Sequence, residues 1–582
     1  MKTAVIWVVF FFLAWGTWQP ISLVAQTQTI KAPDLILHHG RIVTVNSQFE
    51  IVEALAIQGD RIQAAGSNEQ ILALATESTQ QIDLQNRMVL PGLIDSHVHA
   101  SGAATYEYDH VVPDVQTVED VLEYIAQRAD ALEDGQWIRV QQMFITRLAE
   151  RRFPTRDELD KVAPKNPVVF RTGPDMAVNS LALQQSGVNE QTPLPPGSSG
   201  RIERDANGRL TGIIRGESSL IKFSESQKRP TQSEQLELLQ QLLQDYNSVG
   251  ITSISDRNAS DRDLELFDEL RSQGKLTVRV FIYYGINPDA EPAEITKRIE
   301  QLAAHPLHTY NNFLWLRGIK VFLDGGMLTG SAYMRQPWGV SQIYSIIDPE
   351  YRGTLKIAPE RLFQISRLAL SHDLQMTAHS VGDGAVHNLI DAYERCAEEL
   401  DVAAARPCIT HCNFMSAEAI ARMQKLGIVA DLQPAWLYLD AVTLEKQFGN
   451  QRLAYFQPYK SLFEAGVKVG GGSDHMQKVG SFRSINPYNP FLGMSIAVTR
   501  LPRGASQPLH PEQCISREDA IRLYTINNAY LSFEEREKGS LEPGKLADFI
   551  ILDRDLLLCP DQDIATTRVL ATYVGGRRVF EQ

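Results

Sequence analysis

Through the middle of the chain, short apolar runs alternate with amphipathic stretches of helical period. The runs are VLPGLIDSHVH, GITSISD, VRVFIYY, RGIKVFLDGG, LQMTAHSVGD, PCITHCN, GIVADLQP and VKVGGGSD. Strands alternating with helices mean βα units and a parallel sheet. Eight such units are the number that closes a (β/α)8 barrel, so the pattern predicts an α/β fold of the TIM-barrel type. The helix before GITSISD is the clearest: Leu236, Leu239, Leu243 and Tyr246 follow i, i+3/i+4 spacing, and Gly250 stands where a C-terminal cap is expected.

The two ends read differently. From Asp34 to Leu90, and again in ADFIILDRD and RVLATYVGGRRVF, the pattern is short alternating strands with turn residues between them. Each piece is too small to bury a core of its own, so residues 26–90 and 535–582 are expected to form one composite β-sandwich. That leaves 91–534 for the barrel. Within it, 100–249 is too long for one βα connection and carries its own strand and turn signals (NPVVF, PLPPGSSGRI, DANGRLTGIIR). It is expected to be an inserted subdomain after the first strand, capping the barrel mouth.

The first 25 residues form a third pattern: Lys2, an apolar run from Ala4 to Trp15, then Gly16, Pro20 and a small residue at Ala25. This is the layout of a secretory signal peptide, and the run is shorter than the roughly 20 residues a membrane span needs. A periplasmic or secreted protein without a stable span in its mature form is expected, an uncleaved anchor being the alternative. A net charge of −14 without long like-charge blocks argues against nucleic acid and anionic lipid as partners. Five cysteines in 582 residues are too few for a disulfide framework. Cys408 and Cys412 flank His411, but four residues of strand separate them by about 13 Å, and alternation sends them to the face opposite His411, so they read as packing.

The chemistry gathers at strand ends. His97 and His99 are two apart and project to one face at the C-terminal end of the first strand, where barrel active sites form. Lys320 lies in an otherwise apolar strand, where an unpaired ammonium is costly. His379 ends LQMTAHS, His411 ends PCITHC, and Asp474 ends VKVGGGSD, whose glycines leave room for a ligand or metal. Five strands presenting His-x-His, Lys, His, His and Asp at the same relative position point to a metal site.

The sequence resembles the amidohydrolase superfamily, in particular the amidohydrolase-3 group that includes N-substituted formamide deformylases. The segments carrying the resemblance are VLPGLIDSHVHASG, PTRDELDKVAPKNPVVFRTG, GIKVFLDGG, AHSVGDGAVHNLIDAYE, ITHCNFMS, LGIVADLQP, GGSDHM, NPFLGMSIAVTR and EKGSLEPGKLADFIILDRD, in order from about Asp34 to Phe580. The resemblance implies a metal-dependent barrel flanked by a β-sandwich and two divalent metal ions, with His97 and His99 on the more buried one and His379 and His411 on the other. It further implies Lys320 as a bridge carboxylated by CO2, and Asp474 as ligand and catalytic proton shuttle. Imidazole and carboxylate ligands suit zinc. A hydroxide bridging metals about 3.5–4 Å apart would attack the carbonyl of a small-molecule amide or formamide. Other readings are a metal-containing binding protein on the same scaffold, or an isomerase or C–O hydrolase. A homodimer is a possible assembly.

The chain departs from the commoner pattern at Pro174, where many relatives carry histidine, in the loop DGGMLTGSAYMRQPWG, and at His475 after Asp474. Mouth residues expected to contact substrate are Arg171, Arg335, Trp338 and Trp436, with Phe170, Met176 and Tyr438 nearby. With few basic groups expected there, the sequence favours a neutral, hydrophobic amide.

Overall fold

The computed structural model describes residues 31–173, 175–195, 200–224 and 228–582. The N-terminal segment expected to be a signal peptide lies outside them, as does Pro174. No helix among the described residues is long and apolar enough to cross a membrane.

All eight apolar runs are strands of a single parallel sheet: β1 Leu93–Val98, β2 Ile251–Ala259, β3 Arg279–Gly285, β4 Leu314–Phe322, β5 Gln375–Ser380, β6 Cys408–His411, β7 Val429–Leu432 and β8 Val469–Gly471. Sheet order follows chain order. The ring closes just past β8, where Val98 pairs in parallel with His475, Asp474 N–H donates to the His97 carbonyl (2.8 Å) and His99 N–H to the His475 carbonyl (2.8 Å). The last seam of the barrel therefore runs through the proposed ligands themselves.

The helix before β2 spans Gln232–Ser248, started by a capping box of Thr231 with Glu234. Its stripe of Leu239, Leu242, Leu243 and Tyr246 is fully buried in the main core, and Gly250 follows at φ +83°.

VLPGLIDSHVH is divided between two sheets. Met88–Pro91 joins a six-stranded sheet and β1 starts at Leu93. Gly92 makes the break: a Cβ there would lie 2.2 Å from the Thr252 hydroxyl. The six-stranded sheet draws on both chain ends, with Val89 to Pro91 antiparallel to Phe549 to Ile551. It faces a four-stranded sheet containing Leu35–His38, Ala54–Gln58, Arg61–Gly66 and Gln80–Asp83. Leu35, Leu37, Ile42, Leu55 and Val89 share one core with Phe549, Ile551 and Tyr573. A buried bidentate pair, Arg279 with Asp548 at 2.7 and 2.8 Å, ties β3 to this end of the molecule.

Between β1 and β2 the chain builds a five-stranded sheet in the order Arg201–Arg204, Leu210–Arg215, Asp175–Val178, Val168–Thr172, Ile138–Gln141. It has apolar clusters of its own.

Candidate metal centre

Six side chains from five strands meet at the C-terminal end of the barrel. His97 Nε2 lies 3.3 Å and His99 Nε2 3.2 Å from Asp474 Oδ1, and these three residues form one group of donors close enough to hold a metal ion. Lys320 Nζ is 3.0 Å from His97 Nε2. The His411 ring lies 5.1 Å from that of His97 and 4.5 Å from that of His379, centroid to centroid. His99, Lys320, His379, His411 and Asp474 all open onto one cavity of about 1080 Å3.

The ring nitrogens are oriented by neighbours. His97 Nδ1 donates to Asp431 Oδ2 (3.0 Å) and His411 Nδ1 to Gln433 Oε1 (2.6 Å), since both partners are acceptors. That leaves the Nε2 lone pairs of His97 and His411 free to ligate. His379 Nε2 faces the Gly325 carbonyl at 3.3 Å, so its Nδ1 is the unprotonated nitrogen. Burial pushes His97 and His411 well below the ordinary histidine pKa and His379 to about 3, helped by the Lys320 charge. Neutral imidazoles are the form that binds metal. Burial also pushes Lys320 down to about 8, Asp474 acting against this and Arg257 with it. Backbone is unusual here too: His411 and Asp474 have φ of +83° and +56°, conformations that non-glycine residues adopt at a cost of order 1 kcal/mol.

Behind these residues lies a layer that pattern reading missed. Asp431 on β7 also accepts from Ser96 Oγ (2.5 Å) and lies 3.4 Å from Nε of the fully buried Arg257 on β2. Arg257 donates in turn to the Ser96 carbonyl and to Thr410, and covers the Tyr283 ring. Asn486 Nδ2 donates to the Asp474 carbonyl at 2.8 Å. A signal existed for two of these: Asp431 and Arg257 are charged residues inside apolar strands, as Lys320 is.

Two local expectations change. The glycines before Asp474 make room for neighbouring chain, not for a ligand: a Cβ at Gly472 would sit 2.8 Å from both the His97 nitrogen and Ser96 Oγ. Cys408 and Cys412 are buried and unbridged, but Cys408 Sγ approaches Arg257 (3.7 Å) inside the barrel. The left-handed turn at His411 overrides simple alternation. His475, the departure next to Asp474, is fully buried, accepting from Tyr246 OH (2.7 Å) and bonded through Nε2 to the carbonyls of Gln477 and Lys478. It shapes the turn after Asp474.

Of the mouth residues expected from sequence, Arg171 and Trp436 line the cavity, and Trp436 stacks on His411 at 4.6 Å. Trp338 does not: it is buried deeper in the apolar cluster that also holds Trp436, with its N–H on the Ala332 carbonyl. Arg335 pairs with Glu418 away from the cavity. Phe170 and Met176 are core residues of the insertion, and Tyr438 is not part of the lining. Strand alternation explains the first contrast, since Phe170 and Arg171 point to opposite faces. The lining instead gains Arg201, Arg215 and Lys356.

A family profile described as "Amidohydrolase family" matches residues 80–580. The chain belongs to the amidohydrolase family. It is a metal-dependent hydrolase of that family, on a barrel with the donor set just described. It is similar to the N-substituted formamide deformylase of Arthrobacter pascens, 28% identical over 94% of this chain and 98% of the relative. It is also similar to Protein LONG AFTER FAR-RED 3 of Arabidopsis thaliana, 27% identical over 94% of this chain and 91% of that one. Among solved structures, an uncharacterised metal-dependent hydrolase from Pyrococcus horikoshii shares the fold, with TM-score 0.65, 22% identity, and 91% and 99% of the two chains covered.

Proposed function

We propose that this amidohydrolase is an exported enzyme that hydrolyses a non-peptide C–N bond of an amide- or formamide-type small molecule. The observation that carries the reading is the convergence of His97, His99, Lys320, His379, His411 and Asp474 at the barrel mouth, with two imidazoles held lone-pair inward. The relative named as an N-substituted formamide deformylase supports the choice of bond.

The donor set fits two divalent ions. His97, His99 and Asp474 would hold one, zinc by their chemistry, and His379 and His411 a second. Lys320 suits the bridging carbamate: its only described hydrogen-bond partner is neutral His97, so burial leaves the amine poorly satisfied as a cation. Bound ions supply Lewis acidity and lower the pKa of water. The chain does the rest. Asp474, oriented by Asn486, takes the proton of the attacking water on its carboxylate and delivers it to the leaving nitrogen. Asp431 and Gln433 keep two rings in register. Phe144, Phe322 and Trp436 give the substrate an apolar wall.

The wall agrees with a hydrophobic substrate, but the charges revise the neutral expectation. Arg215 pairs with Asp175 and Glu203, and Arg201 with Glu203. Arg171 and Lys356 line the same cavity with no ion pair among the described residues, against one lining carboxylate likewise without an ion pair, Asp348, and with Asp324 acting on Lys356 from behind. We therefore read the substrate as an apolar amide bearing an anionic group. Comparing kcat/KM for a neutral N-benzyl amide with its carboxylated counterpart decides this, and a preference for the neutral compound overturns it. The C–N reading is tested by screening amides and esters with metal-loaded protein and with the Asp474→Asn variant. Amide turnover should fall about a thousandfold in the variant. Full turnover in rigorously metal-free protein would sink the reading.

A further inference from the structure

A second group of metal-type donors sits where the chain crosses from one sheet of the sandwich to the other. Leu35–His38 belongs to the four-stranded sheet and Arg41–Val43 to the six-stranded one, with His39 and Gly40 as the corner. Parallel pairing sets His38 beside Asp83 in register. Adjacent strand residues normally point to opposite faces. Here His39 is left-handed (φ +52°), and the two imidazoles meet with their Nδ1 atoms 3.0 Å apart. His39 Nδ1 is 3.5 Å from Asp83 Oδ1, and all three donor atoms lie within 4.8 Å of one another.

The two closer spacings, 3.0 and 3.5 Å, bracket the edge of a coordination tetrahedron. Ligand bonds of roughly 2.0–2.1 Å give ligand–ligand edges of roughly 3.3 Å. One Nδ1 proton accounts for the 3.0 Å contact between the rings as a hydrogen bond; the carboxylate at 3.5 Å is the third donor, which that bond does not need. The backbone is tied at each position: His39 N–H donates to Asn68 Oδ1 (2.7 Å), Leu84 N–H to the His38 carbonyl (2.8 Å) and Asn86 N–H to the His39 carbonyl (2.7 Å). Gln85 N–H donates to Asp83 Oδ1 at 2.9 Å and fixes the carboxylate's orientation.

We propose that His38, His39 and Asp83 bind a divalent transition-metal ion, zinc by the chemistry of two imidazoles and a carboxylate, at the corner of the sandwich. The site is separate from the barrel centre and shares no residue with its cavity. An ion there clips the end of Leu35–His38 to Gln80–Asp83 and leaves coordination open to water.

The test is zinc uptake by the full-length chain in equilibrium dialysis at micromolar free zinc, beside His38→Gln and His39→Asn. Asparagine tolerates the left-handed backbone, so the second substitution removes the ligand without forcing the corner to refold. The parent chain should hold one more zinc than either variant. Zinc beyond barrel occupancy should raise its Tm by mass action while leaving that of the variants unchanged. Equal zinc uptake by all three chains overturns the site, as does an equal rise in Tm.

Discussion

Two His-His-Asp groups among the described residues are built in opposite surroundings. His97, His99 and Asp474 lie in the barrel, where His97 is fully buried and Asp474 nearly so, while His39 and Asp83 are about half exposed, at 52% and 53%. In the barrel two of the imidazoles are oriented by a further side chain that is itself buried: Asp431 orients His97 and Gln433 orients His411. At the sandwich corner the orienting is done by backbone hydrogen bonds, and the imidazoles face water. Similar donors therefore serve different ends. Desolvation and buried polar neighbours keep the His97 and His411 imidazoles neutral and fixed for chemistry, whereas the exposed set is a clip between two strands.

Four experiments break or sharpen this contrast, the largest effect first. Both groups depend on the core shared by the chain ends, because Leu35 and Leu37 pack with Phe549, Ile551 and Tyr573. A chain ending at Gly539 should aggregate, which size-exclusion chromatography would show. A monomeric, active truncation would disprove the shared core. Next, Lys320→Ala should lose the barrel ions and all turnover, with short carboxylic acids restoring part of each. Retention of both ions beside alanine would remove the bridging role, and metal analysis with a rescue assay reads it out. Third, Asp431→Asn should weaken metal binding in the barrel about 10- to 100-fold and leave the sandwich corner alone. Competition with a chelator measures it. Last, a graded chelator titration of the loaded enzyme should remove the corner ion before activity declines, since that site is the more exposed of the two. Activity falling with the first ion lost would mean the two sites are not ranked by burial.

Much of this was legible along the chain because it depends on periodicity. The eight runs became the eight barrel strands, and the strand-end positions of Lys320, His379, His411 and Asp474 brought them to one mouth, since a parallel barrel puts every strand's C-terminal end on one face. The substrate lining was less legible. Trp338, Arg335, Phe170 and Met176 lie in segments near the mouth in sequence, but which of their side chains reach the cavity depends on loop packing.

By itself the sequence determined the strand-and-helix rhythm, the need for the two ends to share a core, and the chemical type of the site. Local pattern suffices for these, because hydrophobic burial acts on every strand in the same way. Only the tertiary structure decided that Asp431 and Arg257 stand behind His97, that the glycines before Asp474 yield space to β1, and that Arg171 and Lys356 share one cavity. It alone set His38, His39 and Asp83 together, through a register and a left-handed turn that no spacing rule encodes. Contacts between residues hundreds of positions apart follow from how the sheets close, and closure is a property of the whole chain.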